Sequence, residues 1–391
     1  MRVTVIGMGA VGGRVIDALA ADPDVESVLV LHRQPDRVAA RAAQWPDKVQ
    51  LRQGGPGQPA SSGRLARARR PAVAPGRVPP SEPLPRSGRA AGPPGLVPLS
   101  GRAAGPPGRV QRSGPVPPSG QAADVTVIAE PAAVRRSALA ALEAGSHVVC
   151  PVDDPIDVRH LLELDAQARA AGRTVAIGTA MAPGLSCVLA AHLVPRFARV
   201  EEIHVASLGT GGPACARRHH AALAGIAIDW ADGAWRRRAG GSGRELVWFP
   251  EPVGGADCYR AALPDALLLA PAFPECRRIT ARLEATRRDR LTSWLPMLRR
   301  PHPEGMVGAV RVEVRGWNAD DQPDVRILGA ATAPAEVAAA VTAVTARWAG
   351  AGRLARLGAA GLAELVEPTG KFLADVTRAG VPVSLFEGAG S

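Results

Sequence analysis

"RVTVIGMGAVGGRVIDALA", Arg2 to Ala20, decides the fold. Five strand-forming residues up to Ile6 lead into a glycine-rich turn, and apolar residues then recur at Val11, Val15, Ile16 and Leu19 with helical spacing. The turn spells G-x-G-x-x-G with Gly7, Gly9 and Gly12. In a strand–turn–helix unit the first glycine permits the tight turn, and the second lets backbone approach a pyrophosphate. The third lets helix and strand pack closely, and the helix N-terminus supplies a dipole that favours the anion. Gly7, Gly9 and Gly12 are therefore the expected dinucleotide-binding residues.

The same alternation continues outward. "SVLVLH" from Ser27, "KVQLR" from Lys48, "VTVIAE" from Val125, "HVVCPV" from His147 and "TVAIGT" from Thr174 read as strands. Between them, "DRVAARAA", "AAVRRSALAALEAG" and "VRHLLELDAQARAAG" read as helices. Strands alternating with helices imply a doubly wound parallel sheet covered on both faces, a Rossmann domain over 1–181. From Val200 the runs lengthen and alternate: "VEEIHVASL", "ELVWFP", "RITARLEAT", "VGAVRVEVRGW" and "DVRILGAAT". They predict a second α/β domain with a mixed or antiparallel sheet over 182–349, followed by a C-terminal segment, 350–391, returning toward the first domain.

One tract breaks this order. Between Gly54 and Ala122 lie ten arginines, one acid, sixteen of the chain's 37 prolines and no aromatic residue, with SGRAAGPPG written twice. Apolar side chains scattered singly among proline and glycine cannot bury enough surface to offset ordering, so the tract is expected to be a disordered insertion. It lies between the third and fourth strands, where the chain crosses from one half of the sheet to the other. Either a solvated linker of a GC-rich gene or a shifted reading frame accounts for it.

The tract carries most of the chain's formal charge of +11, so that charge says little about the rest. Its arginines could meet phosphates, but it has no aromatic stacking platform, which argues against nucleic acid. The five cysteines are odd in number, widely spaced and without a CxxC pair. They imply a reducing compartment and neither disulfide framework nor zinc site, and no spaced His/carboxylate metal site is visible. No uncharged apolar run is long enough to span a membrane. The expected location is the cytoplasm.

Cofactor choice is read at the end of the second strand, where NAD-binding chains usually carry an acid for the ribose hydroxyl. Here "LVLHRQ" offers His32 and Arg33 instead. A guanidinium can grip a 2′-phosphate that an acid would repel, so NADP is expected over NAD.

The glycine-rich start, "DDPIDVRHLLELDAQARAAGRTVAIG" with its Asp153–Asp154 pair, and "APGLSCVLA" from Ala182 together resemble the saccharopine dehydrogenase (saccharopine reductase-like) family. The resemblance covers residues 1–53 and about 123–195 well, and the second domain loosely. It implies NAD(P)-dependent hydride transfer at a carbon–nitrogen bond, between an imine and a secondary amine built from amino acids. Pro183 and Gly184 match the family's Asp-Pro-Gly turn, but Ala182 stands in place of its Asp. The implied partner is a small amino-acid-like molecule, with no nucleic acid and no membrane, and with homo-oligomerisation allowed.

Such chemistry needs a proton donor near the nitrogen and cations for substrate carboxylates. The second domain offers Arg218 and His219 after a Gly-Gly-Pro turn, and Tyr259 and Arg260 after a Gly-Gly turn. These four are the catalytic candidates. Adjacent histidines point in different directions, so of His219 and His220 only one is expected to face a site. The charged run Arg287–Arg290 reads as a solvated strand end. Cys150, closing a strand at the cleft edge, is a candidate nucleophile or a small buried hydrophobe. A non-catalytic nucleotide-binding sensor is the rival reading.

Overall fold

The computed structural model describes residues 1–54, 123–297, 300–303 and 305–386. The expected insertion lies, save Gly54, outside the described residues, and so does the end of the C-terminal segment, 387–391. The strands are β1 (Arg2–Ile6), β2 (Ser27–His32), β3 (Val49–Gln53), β4 (Val125–Ile128), β5 (His147–Cys150), β6 (Thr174–Ile177), β7 (Arg199–Leu208) and β8 (Ile226–Ala231). They continue with β9 (Ala234–Ala239), β10 (Glu245–Phe249), β11 (Gly254–Arg260), β12 (Arg278–Glu284), β13 (Ala309–Trp317), β14 (Pro323–Ala331), β15 (Gly358–Gly361) and β16 (Ser384–Phe386).

The first sheet is parallel throughout, in the order β15-β6-β5-β4-β1-β2-β3. Val3 and Val5 of β1 stand level with Val28 and Val30 of β2 and with Val125 and Val127 of β4, and all six are buried. Helix Ala10–Ala21 covers them with Val15, Ile16 and Leu19. Each such side chain contributes about 1.5–3 kcal/mol on leaving water, so the strand–turn–helix unit is pinned by its own apolar stripe. The doubly wound parallel sheet is thus present, and its strands come in the order 3-2-1-4-5-6 of that architecture, with β15 added beyond β6.

The second sheet runs β10-β11-β12-β7-β13-β14-β16, with the hairpin β8–β9 attached to β12 through β8. It is mixed, since β12 and β7 are parallel while its other pairs are antiparallel. Four of its strands, β8, β9, β11 and β16, were not legible as strands. β9 reads "AWRRRA" and is mostly exposed, so it has no apolar alternation to betray it. Its turn does carry a signal: Asp232 and Gly233 both adopt positive φ, 50° and 73°, as a two-residue hairpin turn requires. The stretch read as one helix, "VRHLLELDAQARAAG", is two, Pro155–Leu162 and Asp165–Ala170.

Helix Pro334–Gly350 is buried on nearly every side and packs against helix Ala10–Ala21 and against β4 and β5. Its alanines allow that close approach. Helix Leu185–Leu193, also buried, covers β13 and β14 instead. Among the described residues no helix is long and apolar enough to cross a membrane.

Candidate functional site

A cleft of about 630 Å³ opens at the C-terminal ends of β1, β2 and β4 and is closed from the other side by the segment Gly209–His219. In open parallel sheets this crevice is where ligands bind, because the strand order reverses there and helix N-termini point in.

The glycine turn forms one wall. Gly7 has φ +93°, and a Cβ there would sit 2.8 Å from Cβ of Glu130. At Gly12 a Cβ would meet the Gly7 carbonyl oxygen, with no flexible side chain to yield. Gly9 differs: it caps helix Ala10–Ala21, and nothing lies within 4 Å of where its Cβ would be. Two glycines are thus needed for the turn itself and one keeps space open before a helix N-terminus. That is the cradle a pyrophosphate fits.

His32 and Arg33 line the same cleft. His32 is turned inward on its own loop, its Nδ1 accepting a hydrogen bond from the Gln34 amide at 3.1 Å. Arg33 is half exposed and pairs with Glu130, Nε to Oε1 2.6 Å. Sequence reasoning missed Glu130. It follows β4 by two residues, and the position just past a parallel strand was the available signal.

The opposite wall is polar. Helix Pro213–Ala222 presents Cys215, Arg218 and His219, and the loop after β5 brings Asp153 and Asp154 to meet them. Arg218 is ion-paired with Asp153 through Nη1 and lies 3.7 Å from Asp154 through Nε. Asp154 also caps helix Pro155–Leu162, accepting from the Ile156 amide at 2.8 Å. His219 Nε2 is 3.7 Å from Asp153 Oδ2 and 3.6 Å from Cys215 Sγ. Burial, then the Arg218 guanidinium, push the His219 ring down to about 4, against the pull of the Gly209 backbone. Burial pushes the Cys215 thiol up to about 11. Asp157, on the same wall, is raised by burial and then by Asp154.

Arg218 and His219 are thus brought face to face with the glycine turn. His220 points the other way, its Nε2 donating to the Thr292 carbonyl at 3.0 Å. Helix phase separates the two neighbours.

Tyr259 and Arg260 are not brought to this cleft. Tyr259 is buried in β11 with the Arg290 guanidinium 4.2 Å above its ring, and Arg260 pairs with Asp229 at 3.4 Å. Both belong to the second sheet's own packing, and their Gly-Gly turn serves the strand pair β10–β11. Cys150 is fully buried in the first sheet, and burial raises its thiol far above the ordinary range, so it is an inert core group. Arg287–Arg290 opens a short helix capped reciprocally by Thr286 and Asp289, a helix start where a strand end was expected. Ala182, standing where the family has Asp, does line the cleft.

No family model and no curated protein matches this sequence. Solved structures do. Apo saccharopine dehydrogenase (L-Glu forming) from Saccharomyces cerevisiae superposes with a TM-score of 0.60 at 12% identity, over 98% of this chain and 99% of that one. The chain has the saccharopine dehydrogenase fold. DAP dehydrogenase of C. glutamicum in complex with DAP superposes less well, with a TM-score of 0.42 at 12% identity over 94% of this chain and 95% of that one. A myo-inositol dehydrogenase from Corynebacterium glutamicum gives 0.41 at 12% identity over 97% and 94%.

Proposed function

We propose that this chain is an NADP-dependent oxidoreductase that transfers hydride at the carbon–nitrogen bond of an amino-acid-derived imine or secondary amine. The observation that carries the reading is the open space at Gly9, before a helix N-terminus and across the cleft from Arg218. The donor set fits a dinucleotide: Gly7, Gly9 and Gly12 would hold the pyrophosphate, and His32 and Arg33 the adenosine ribose phosphate. A bound nicotinamide supplies or accepts the hydride.

The residues of the chain then have separable tasks. Arg218 is held by two aspartates in a partly buried position, so its guanidinium is aimed before any substrate arrives. A pre-aimed planar cation can meet a substrate carboxylate with paired hydrogen bonds, fixing both charge and orientation. His219, beside it, gives the reacting nitrogen a polar contact. Asp153 keeps both side chains facing the cleft. Five unpaired cysteines suit a reducing compartment, and the cytoplasm is the proposed location.

A nucleotide sensor is the second reading, favoured by Ala182 in place of the family's Asp. One experiment addresses both. NADPH and NADH are titrated by fluorescence quenching, and the loaded protein is then offered amino acids paired with 2-oxo acids while nicotinamide absorbance is followed. Tighter NADPH binding with turnover supports the enzyme, binding with no turnover across the panel supports the sensor, and absence of binding removes both.

A further inference from the structure

On the polar wall Cys215, to which hydride transfer gives no task, converges with His219 and Asp153. Cys215 and His219 lie one helical turn apart on helix Pro213–Ala222, and Asp153 reaches them from the loop after β5. One oxygen of Asp153, Sγ of Cys215 and a ring nitrogen of His219 all lie within 4.8 Å of one another.

Two arrangements bring a thiol, an imidazole and a carboxylate together. In a nucleophile relay the thiol and the carboxylate take opposite ring nitrogens, so that one orients the ring while the other gives up its proton. Here both face Nε2, at 3.6 Å and 3.7 Å. Cys215 Sγ at 3.6 Å is within reach of a sulfur hydrogen bond with Nε2, while Asp153 at 3.7 Å is too far for one, so no ring nitrogen is left to be oriented by the carboxylate. Lone pairs converging on one point are instead what a cation asks for. With zinc–sulfur and zinc–nitrogen bonds of about 2.3 and 2.0 Å, tetrahedral ligands stand roughly 3.5 Å apart, close to the 3.6 and 3.7 Å that separate His219 from Cys215 and Asp153, with the third pair within 4.8 Å.

We propose that Asp153, Cys215 and His219 form a three-ligand site for a zinc-like divalent cation, with its fourth position open to the cleft. The donor set, one thiolate, one imidazole and one carboxylate, suits zinc or cobalt better than magnesium or calcium. Arg218 then holds the oxygen of Asp153 that the cation does not use, the outer contact that metal-bound carboxylates ordinarily have. Asp153, Asp154 and Asp157 on this wall offset Arg217 and Arg218 in formal charge. The sequence hides the site because no His/carboxylate spacing announces it: two ligands come from one helix turn and the third from a distant loop. The inference does not depend on hydride transfer.

The test uses the full chain after dialysis against a chelator. Titration with cobalt(II) is expected to saturate at one equivalent and to produce a near-ultraviolet thiolate-to-cobalt band with strong visible absorption, both erased by zinc(II). Cys215→Ser is expected to abolish the ultraviolet band, and His219→Ala to weaken cobalt binding by at least about tenfold. Failure of the native chain to bind cobalt saturably, or a thiolate band that survives in Cys215→Ser, overturns the site. The native titration stands even if a variant does not fold. NADPH binding is measured on the same samples, so cobalt without nucleotide sinks the dehydrogenase reading alone, and nucleotide without cobalt sinks the metal site alone.

Discussion

The glycine wall of the cleft comes from one continuous run, Gly7 to Val11, whereas the polar wall takes Asp153 from the loop after β5 and Cys215, Arg218 and His219 from a helix beyond β7. In the first, every contact that shapes the turn is local or lies on an adjacent strand. In the second, each charged group depends on a segment far off in the chain. Backbone geometry can thus be written in a motif, while the electrostatics of the polar wall have to be assembled by the fold.

The sharpest way to break this contrast is within the glycine wall. Gly12→Ala would press a methyl onto the Gly7 carbonyl, so both stability and nucleotide binding should fall, with affinity lost by about a hundredfold or more. Gly9→Ala adds its methyl to open space and should leave the melting temperature near that of the parent while still weakening NADPH. Thermal melts beside fluorescence titrations separate the two, and equal melts would show that Gly12 is not a packing glycine.

A buried carboxylate tests the long-range half. Asp265 is enclosed where helix Asp265–Leu269 meets helix Leu185–Leu193, accepting a hydrogen bond from Ser186 at 2.7 Å, and burial raises it to about 6 from 3.8. Between those values the folded chain keeps a proton that the unfolded chain gives up. Its contribution is therefore present below pH 3.8 and lost as pH rises through about 6. Asp265→Asn should raise stability at pH 8 by up to about 3 kcal/mol and change little at pH 3.5. Urea midpoints at the two pH values decide it, and a gain of the same size at both would show that the carboxyl does not titrate in the fold.

Two arginines then compare the cleft with the second sheet. Arg218→Ala should raise KM by roughly tenfold to a hundredfold, a loss of about 1.5–3 kcal/mol of charge-assisted contact. Arg260→Ala should lower stability, since it removes the ion-pair partner of the buried Asp229 and leaves it only the more distant Arg282 and Arg278, and leave kinetics alone. A KM effect at Arg260 would move the substrate site to the second sheet.

The smallest expected effect concerns the cofactor. Arg33→Ala should weaken NADPH by about tenfold and NADH hardly at all, the low end for a phosphate contact because Arg33 already has Glu130 as a partner. Glu130→Gln should tighten NADPH a few-fold by releasing that guanidinium. Loss of both nucleotides in Arg33→Ala would assign the side chain to the turn.

The parallel sheet was legible because β1, β2, β4, β5 and β6 are apolar runs separated by helical periodicity, and a strand buried on both faces needs little else. The glycine turn was legible because backbone conformation restricts residue type at each position. His219 was legible as one of a pair, but which histidine faces the cleft depends on helix phase. Tyr259 and Arg260 lie away from the cleft for a physical reason: a glycine turn before a charged residue marks close backbone approach, and here the approaching group is a neighbouring strand. β9 and Glu130 carried no periodic signal at all. Only the Asp-Gly turn before β9 and the place of Glu130 just past β4 could have pointed to them.

Gly212 has a consequence for kinetics. It caps the helix carrying Arg218, adopts φ +130°, and a Cβ there would come within 2.9 Å of the Ala10 methyl at the start of the glycine-turn helix. The two walls touch at this point, and the bare α-carbon sets the width of the gap between them. A methyl at position 212 would act as a wedge, speeding escape of whatever the cleft holds. How closely the two walls approach at this point is therefore set by a glycine.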